Sequence, residues 1–498
     1  MKSLLFIPAF SFCLATNASF SQTQGIAYTA VGKGVATTFL TDYHCLGINN
    51  SALGWGTGYD NKRFTAGMTE FNFGMYSDSL NVDRLQRLFK VIRSDVRDET
   101  TEATWEEQQT YAAEYMNSGI AFDAHYNWLG FSFQSEKFGG FAFNINESYN
   151  WYSRLNEDLT DIIFKGRLSN YFDSLTVVFG TDTSMIPNTG NLSEDTLAAV
   201  IQGSLSNPLS LSQLTEGSEI RFAWNRYYNF GYGRKLVGND STFAVYGGIG
   251  GRFIQSMAMF DMRSDGKTIH MYASYNPNYD INYGSIAEFN PSEYTVEGFI
   301  PKPVGMGYGI DLSASVFLMK SIRIAAAVNN IGSVTYRRNV YTVEDSDIRS
   351  VDLEGLDNEN INNSVYMMLE DGGIMNLVGQ ESYTVKNAST YRLGSSIEMG
   401  KFMRLGIDVV GPFDSENPGG LTNPVFSIGG DIRPLKWLYI SAGYLGGGLY
   451  RHNIPLGVNF VLGGGAYELG ISSRDALSFI TNNSNSISTA FGFVRVRF

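Results

Sequence analysis

From Arg63 onward, stretches of roughly ten residues in which apolar and polar positions alternate recur between turn signals, the spacing of β-strands with one apolar face. Met306 to Leu318 is the clearest. Met306, Tyr308, Ile310, Leu312, Ala314, Val316 and Leu318 share one face, and Gly307, Gly309, Asp311, Ser313 and Ser315 share the other. The pattern returns at Met403, Leu405, Ile407 and Val409 against Arg404, Gly406 and Asp408, and at Leu438, Ile440, Ala442 and Tyr444. The last strand, Ser486 to Phe498, sets Val494, Val496 and the terminal Phe498 against Arg495 and Arg497. Charges repeated on one face of successive strands do not suit the core of a soluble sandwich. They suit an all-β transmembrane antiparallel barrel, with lipid on the apolar face and a polar lumen on the other.

Candidate strands fall near 63–75, 120–134, 138–149, 220–235, 242–263, 267–275, 306–318, 322–342, 388–399, 402–411, 424–433, 437–446, 453–462, 465–473 and 486–498. That is fifteen. A closed antiparallel barrel in one bacterial chain needs an even number, so fourteen is expected and sixteen comes next. Hairpin turns are expected at Ser135-Glu136-Lys137, Gly238-Asn239-Asp240, Ser264-Asp265-Gly266, Met319-Lys320-Ser321 and Leu435-Lys436. Two insertions have helical spacing, Asn81 to Ile92 and Leu155 to Phe172. Polar loops are expected over Thr176 to Glu219, Asn276 to Val304 and Glu344 to Thr384. The last holds Asp352, Glu354, Asp357, Glu359 and Asp371, which lack EF-hand spacing and read as a solvated loop, so no metal is assigned.

The N-terminus has the layout of a secretory signal peptide over residues 1–21: Lys2, an apolar run from Leu4 to Ala15, then Ala18 and Ser21 before a cut at Gln22. Phe12 is too large to precede a lipidated Cys13. Cys45 alone then remains, and no intramolecular disulfide can form. No later run is long and apolar enough for a membrane helix. Composition agrees with a barrel: 54 Gly, 29 Tyr and 34 Phe accompany only 43% hydrophobic residues and a mean hydropathy of -0.12. The net charge of -13 argues against a nucleic-acid partner, whose phosphates it would repel. His44, His125, His270 and His452 are isolated, and no nucleophile elbow, phosphate loop or paired-cysteine motif is present. No catalytic residue and no cofactor is assigned.

Residues 22–62 precede the barrel of residues 63–498. Their stretch from Gly32 to Leu53 resembles the N-terminal hatch of the FadL family of long-chain fatty-acid transporters, which includes the type IX secretion subunit PorV. Gly32, Gly34, Ala36, Asp42, Asn50 and Ala52 match that family's positions, while Ser51 stands where the family has proline. Small residues let a chain cross a lumen and bond to its wall. A second resemblance rests on Tyr227 to Gly238 and Gly307 to Leu312. It is to an uncharacterised barrel family of Gram-negative bacteria that use type IX secretion. Together these imply a cell outer-membrane protein, with two functional expectations. One is a passive channel for hydrophobic or amphipathic small molecules. The other is an accessory subunit of an outer-membrane complex such as the type IX machinery. The partners expected are outer-membrane lipid, the barrel-assembly machinery, a hydrophobic small-molecule ligand and an outer-membrane protein complex.

Overall fold

In a computed structural model the alternating segments pair, each with its neighbour, into an antiparallel sheet that closes on itself as a 14-strand barrel. The structure describes residues 27–56, 62–77, 80–82, 84, 105–190, 192–239, 241–352, 355, 368–369, 374–414, 421, 423–448, 450–481 and 484–498. The strands are β1 (Phe64–Ser77), β2 (Ile120–Ser135), β3 (Gly139–Arg154), β4 (Glu219–Asn239), β5 (Phe243–Ser264), β6 (Gly305–Leu318) and β7 (Ile322–Tyr336). They continue as β8 (Thr390–Met399), β9 (Met403–Pro412), β10 (Val425–Leu435), β11 (Leu438–Gly447), β12 (Leu456–Leu462), β13 (Tyr467–Ser473) and β14 (Ser486–Arg497). The seam joins β1 to β14, from Thr65 opposite Arg497 to Tyr76 opposite Ser486. Closure leaves no free edge, which is the condition for a sheet to span lipid.

Register follows from the alternation, because a one-residue slip would turn every charge toward lipid. On β6, Met306, Tyr308, Ile310 and Leu312 are exposed on the outer face while Asp311 and Ser315 are buried within. Leu405 and Ile407 on β9 likewise face out, with Asp408 inside. Val494, Val496 and Phe498 lie on the outer surface and Arg495 is buried. No helix among the described residues is long and apolar enough to cross a membrane. The barrel, with its apolar exterior, is the membrane-spanning element and places the protein in the outer membrane.

One rim carries only short connections, such as Ser135 to Gly139, Asn239 to Phe243 and Leu318 to Ile322, together with the seam residues Phe64 and Phe498. In such barrels the short turns are periplasmic and the long loops extracellular. Aromatic rings ring this rim: Phe64 lies 4.8 Å from Phe133 and 5.5 Å from Phe498, and Phe143 lies 4.8 Å from Phe230. Such girdles mark the lipid–water interface.

The surplus candidate is the segment 267–275. It does form a strand, Ile269–Tyr275, but this folds back on β5 and pairs with Val340–Val343 above the wall, so it extends the extracellular rim without entering the barrel circuit. The expected polar loop 176–219 is also structured. Ser174–Phe179, Asp182–Pro187 and Val200–Ser204 form a small sheet with Ser350–Val351, because Leu175, Val177 and Val200 alternate inward. The helical spacing over 155–172 is realised by a helix Glu157–Lys165, capped by Asn156, whose side chain accepts from the Leu159 N–H at 2.9 Å. Leu159, Ile162 and Ile163 pack with Trp151, Tyr152 and Phe260 into a core that roofs the extracellular mouth. The signal peptide, most of Asn81 to Ile92, and Glu354, Asp357, Glu359 and Asp371 lie outside the described residues.

Candidate functional site

Residues 27–56 occupy the lumen. A helical turn Tyr28–Val31 and two 3-10 turns, Asp42–Cys45 and Asn50–Trp55, touch the inner faces of strands all round the barrel. The fit demands glycine at two places. A Cβ on Gly32 would lie 2.6 Å from the Cα of Gly457, and one on Gly54 the same distance from the Cα of Arg234. No side chain fits between backbones so close.

The lumenal charges of the wall hold this segment. Asp408 accepts the N–H groups of Ala36 at 2.6 Å and Thr37 at 2.8 Å, and Lys33 Nζ is 2.5 Å from Asp431. Glu70 accepts from the Tyr43 hydroxyl at 2.6 Å and sits 3.0 Å from His44 Nε2. Arg495 donates to Asp42 of the segment and, at 2.6 Å, to Glu468 of β13. The Ser51 N–H donates to Ser313 Oγ at 2.8 Å, and its hydroxyl lies 2.7 Å from Ser315 Oγ. Asn329 on β7 donates to the Ile48 carbonyl at 3.2 Å. Burial alone would raise the Asp42 pKa, but Arg495, His44 and Arg497 outweigh it and hold the carboxyl below its usual range. Burial pushes the Cys45 thiol well up, which leaves it inert.

Gly32, Gly34, Ala36, Asp42, Asn50, Ser51 and Ala52 are therefore all buried in the lumen, spread along the segment and touching different strands. Ser51 bonds to the wall through its own N–H, which a proline would lack. Val494, Val496 and Phe498 lie apart on the lipid face. The wall residues that grip the segment, Glu70, Asp408, Asp431 and Arg495, were readable only as lumenal charges. Their partners lie as far as 453 positions away in the chain, in the case of Arg495 and Asp42.

Between this segment and the roof lies a cavity of about 90 Å³. Gly47 reaches it from the segment, Asn150, Asn329, Asn330 and Arg392 supply polar walls, and Ile254, Val334 and Val385 apolar ones. Arg252 also lines it, held by Asp311 through contacts of 2.8 and 2.9 Å. No carboxylate among the described residues lines the cavity. Mixed linings of this kind fix one end of a molecule by hydrogen bonds and accept the other by contact.

Residues 177–465 match the profile of a family of unknown function, DUF5723. No curated protein matches the chain. Among solved structures, a deltaS2S3 mutant of the monoaromatic hydrocarbon channel TodX aligns over 95% of this chain and 97% of its own at 9% identity, TM-score 0.46. The toluene transporter TbuX of Ralstonia pickettii aligns over 96% and 99% at 9% identity, TM-score 0.43. The toluene transporter TodX of Pseudomonas putida aligns over 97% and 99% at 9% identity, TM-score 0.40.

Proposed function

The chain belongs to the DUF5723 family of unknown function, and from its own lumen we propose an outer-membrane channel for hydrophobic or amphipathic small molecules, kept shut by residues 27–56. The observation that carries this reading is the joining of two features in one lumen. A segment seated on the wall by charges blocks passage, and a cavity with both polar and apolar walls lies directly against it. The lining favours amphipathic solutes over plain hydrocarbons. Buried amides and guanidinium groups left facing a hydrocarbon would lose hydrogen bonds, a cost of ~1–3 kcal/mol each.

A solute arriving from the extracellular side would rest its polar end against Asn329, Asn330 and Arg392. Its apolar part would lie along Ile254, Val334 and Val385. Asn329 also holds the Ile48 carbonyl, so it touches both cavity and plug. Onward passage requires the segment to shift, since Gly32 and Gly54 leave no gap at the wall. No feature among the described residues favours the accessory-subunit alternative.

Titration calorimetry of the purified protein with butanol, an amphipath small enough for a cavity of this volume, tests the reading. Saturable binding that weakens in Asn329→Leu and Arg392→Met is the expected outcome. Binding that neither substitution alters would overturn it.

A further inference from the structure

The outer wall carries a second hollow, of about 680 Å³, on the lipid-facing side of β4 to β8 and independent of the luminal cavity. Its floor follows from register. Arg234, Gly247, Ala314, Ala326 and Leu393 lie opposite one another on five successive strands, so the middle three positions present almost no side chain. The next outward-facing row, Tyr232, Ile249, Leu312, Val328 and Tyr391, forms a tall bank along one side. Leu236 closes the end near Gly247, where its Cδ1 lies 2.9 Å from the position a Cβ on that glycine would take. Most of the remaining lipid face is tiled by bulky residues such as Ile407, Ile428 and Ile440.

Arg234 marks what the groove receives. It sits in the outward-facing series of β4, between Tyr232 and Leu236, and is exposed. No hydrogen bond or ion pair engages its side chain among the described residues. A lone arginine is costly at the midplane of a bilayer and tolerated at its interface. Its level is the interfacial one: the next residue of the series toward the roof, Tyr232, donates at 2.7 Å to the carbonyl of Phe138, in the short turn from Ser135 to Gly139. The groove is thus apolar along its length and cationic at its periplasmic end. That is the complement of one lipid molecule, with a phosphate at the end and an acyl chain in the trough.

We propose that this groove is a binding site for a single glycerophospholipid of the periplasmic leaflet, its phosphate on Arg234 and one acyl chain over Gly247, Ala314 and Ala326.

Native mass spectrometry of the detergent-purified full chain, titrated with phosphatidylglycerol after delipidation, tests this. One lipid per barrel should persist under activation that strips the rest. Arg234→Gln should weaken retention about fivefold, the effect of one arginine charge at a membrane surface. Ala314→Phe should abolish it by filling the trough, with Ala326→Leu as a substitute should that variant not fold. Ile428→Phe, elsewhere on the barrel, should bind as the native chain does. Heat-modifiable gel migration confirms that each variant is a closed barrel. Retention unchanged in either the arginine or the trough variant overturns the site, as does an equal loss in Ile428→Phe.

Discussion

Asp42→Asn removes one charge from the buried cluster that ties the lumenal segment to β14 while keeping the side chain's shape. Arg495 then keeps Glu468, at 2.6 Å, and its place over the Tyr43 ring, but loses its ion pair with residue 42 of the segment. Removing one partner of a buried ion pair costs ~3–5 kcal/mol, and the low end applies here because Arg495 retains a carboxylate. That cost falls on the docked state alone, since the undocked segment exposes residue 42 to water. At about 1.4 kcal/mol per factor of ten, ~3 kcal/mol raises the undocked fraction roughly a hundredfold. Cys45 reports it. The thiol is fully buried three residues from Asp42 and reacts only when the segment leaves the wall. With opening and closing faster than labelling, the rate of maleimide attachment follows the open population. Measured by mass spectrometry on the peptide carrying Cys45, labelling should rise by about two orders of magnitude in Asp42→Asn, on a barrel that still shows heat-modifiable migration. A labelling rate within a factor of about three of the native chain would refute the reasoning, because the pair would then add nothing to docking.

Other consequences are equally open to measurement. Gly32→Val should expose Cys45 to the same reagent, since its Cβ cannot fit beside Gly457. Ile407→Arg, on the outer face of β9, should destabilise the barrel by ~2–4 kcal/mol in urea unfolding from lipid vesicles if it lies near the bilayer midplane. Deleting Phe498, which stacks on Phe64 at the seam, should lower the amount of heat-modifiable barrel in outer membranes. Because the Asp42 carboxyl is held below its usual range, its contribution to docking is present above the ordinary carboxylate pKa and is lost as pH falls through the lowered value. Conductance across planar bilayers should therefore rise as the pH falls below about 4.

The barrel was legible because lipid and lumen impose opposite chemistry on adjacent residues. Met306 to Leu318 shows the rule with one exception, Phe317, which faces inward against Trp55: its odd-numbered positions from Gly307 to Ser315 are glycine, aspartate or serine, and Asp311 and Ser315 are buried inside. The same rule cannot tell a stave from a rim strand, which is why Ile269–Tyr275 counted as a fifteenth candidate. Its alternation is genuine, but its pairing with Val340–Val343 is a long-range fact. The small extracellular sheet was missed for a related reason. Leu175, Val177 and Val200 are scattered among polar residues that read as loop, and they form a core only when the small sheet assembles. Within the lumen, small residues hinted that a chain could lie against a wall. Which wall charge meets which position, Asp408 with the Ala36 N–H or Arg495 with Asp42, depends on barrel closure and has no local signal.

The most direct test of a shuttered channel for amphipathic solutes is the rate at which cells expressing the protein take up anilinonaphthalenesulfonate, a fluorescent amphipath, across the outer membrane. Uptake should be slow with the native chain and much faster with Asp42→Asn or Gly32→Val at equal barrel abundance. It should slow again when Arg392→Met is added to either variant. Uptake equal to that of cells lacking the protein, in every variant that releases the segment, would contradict the account.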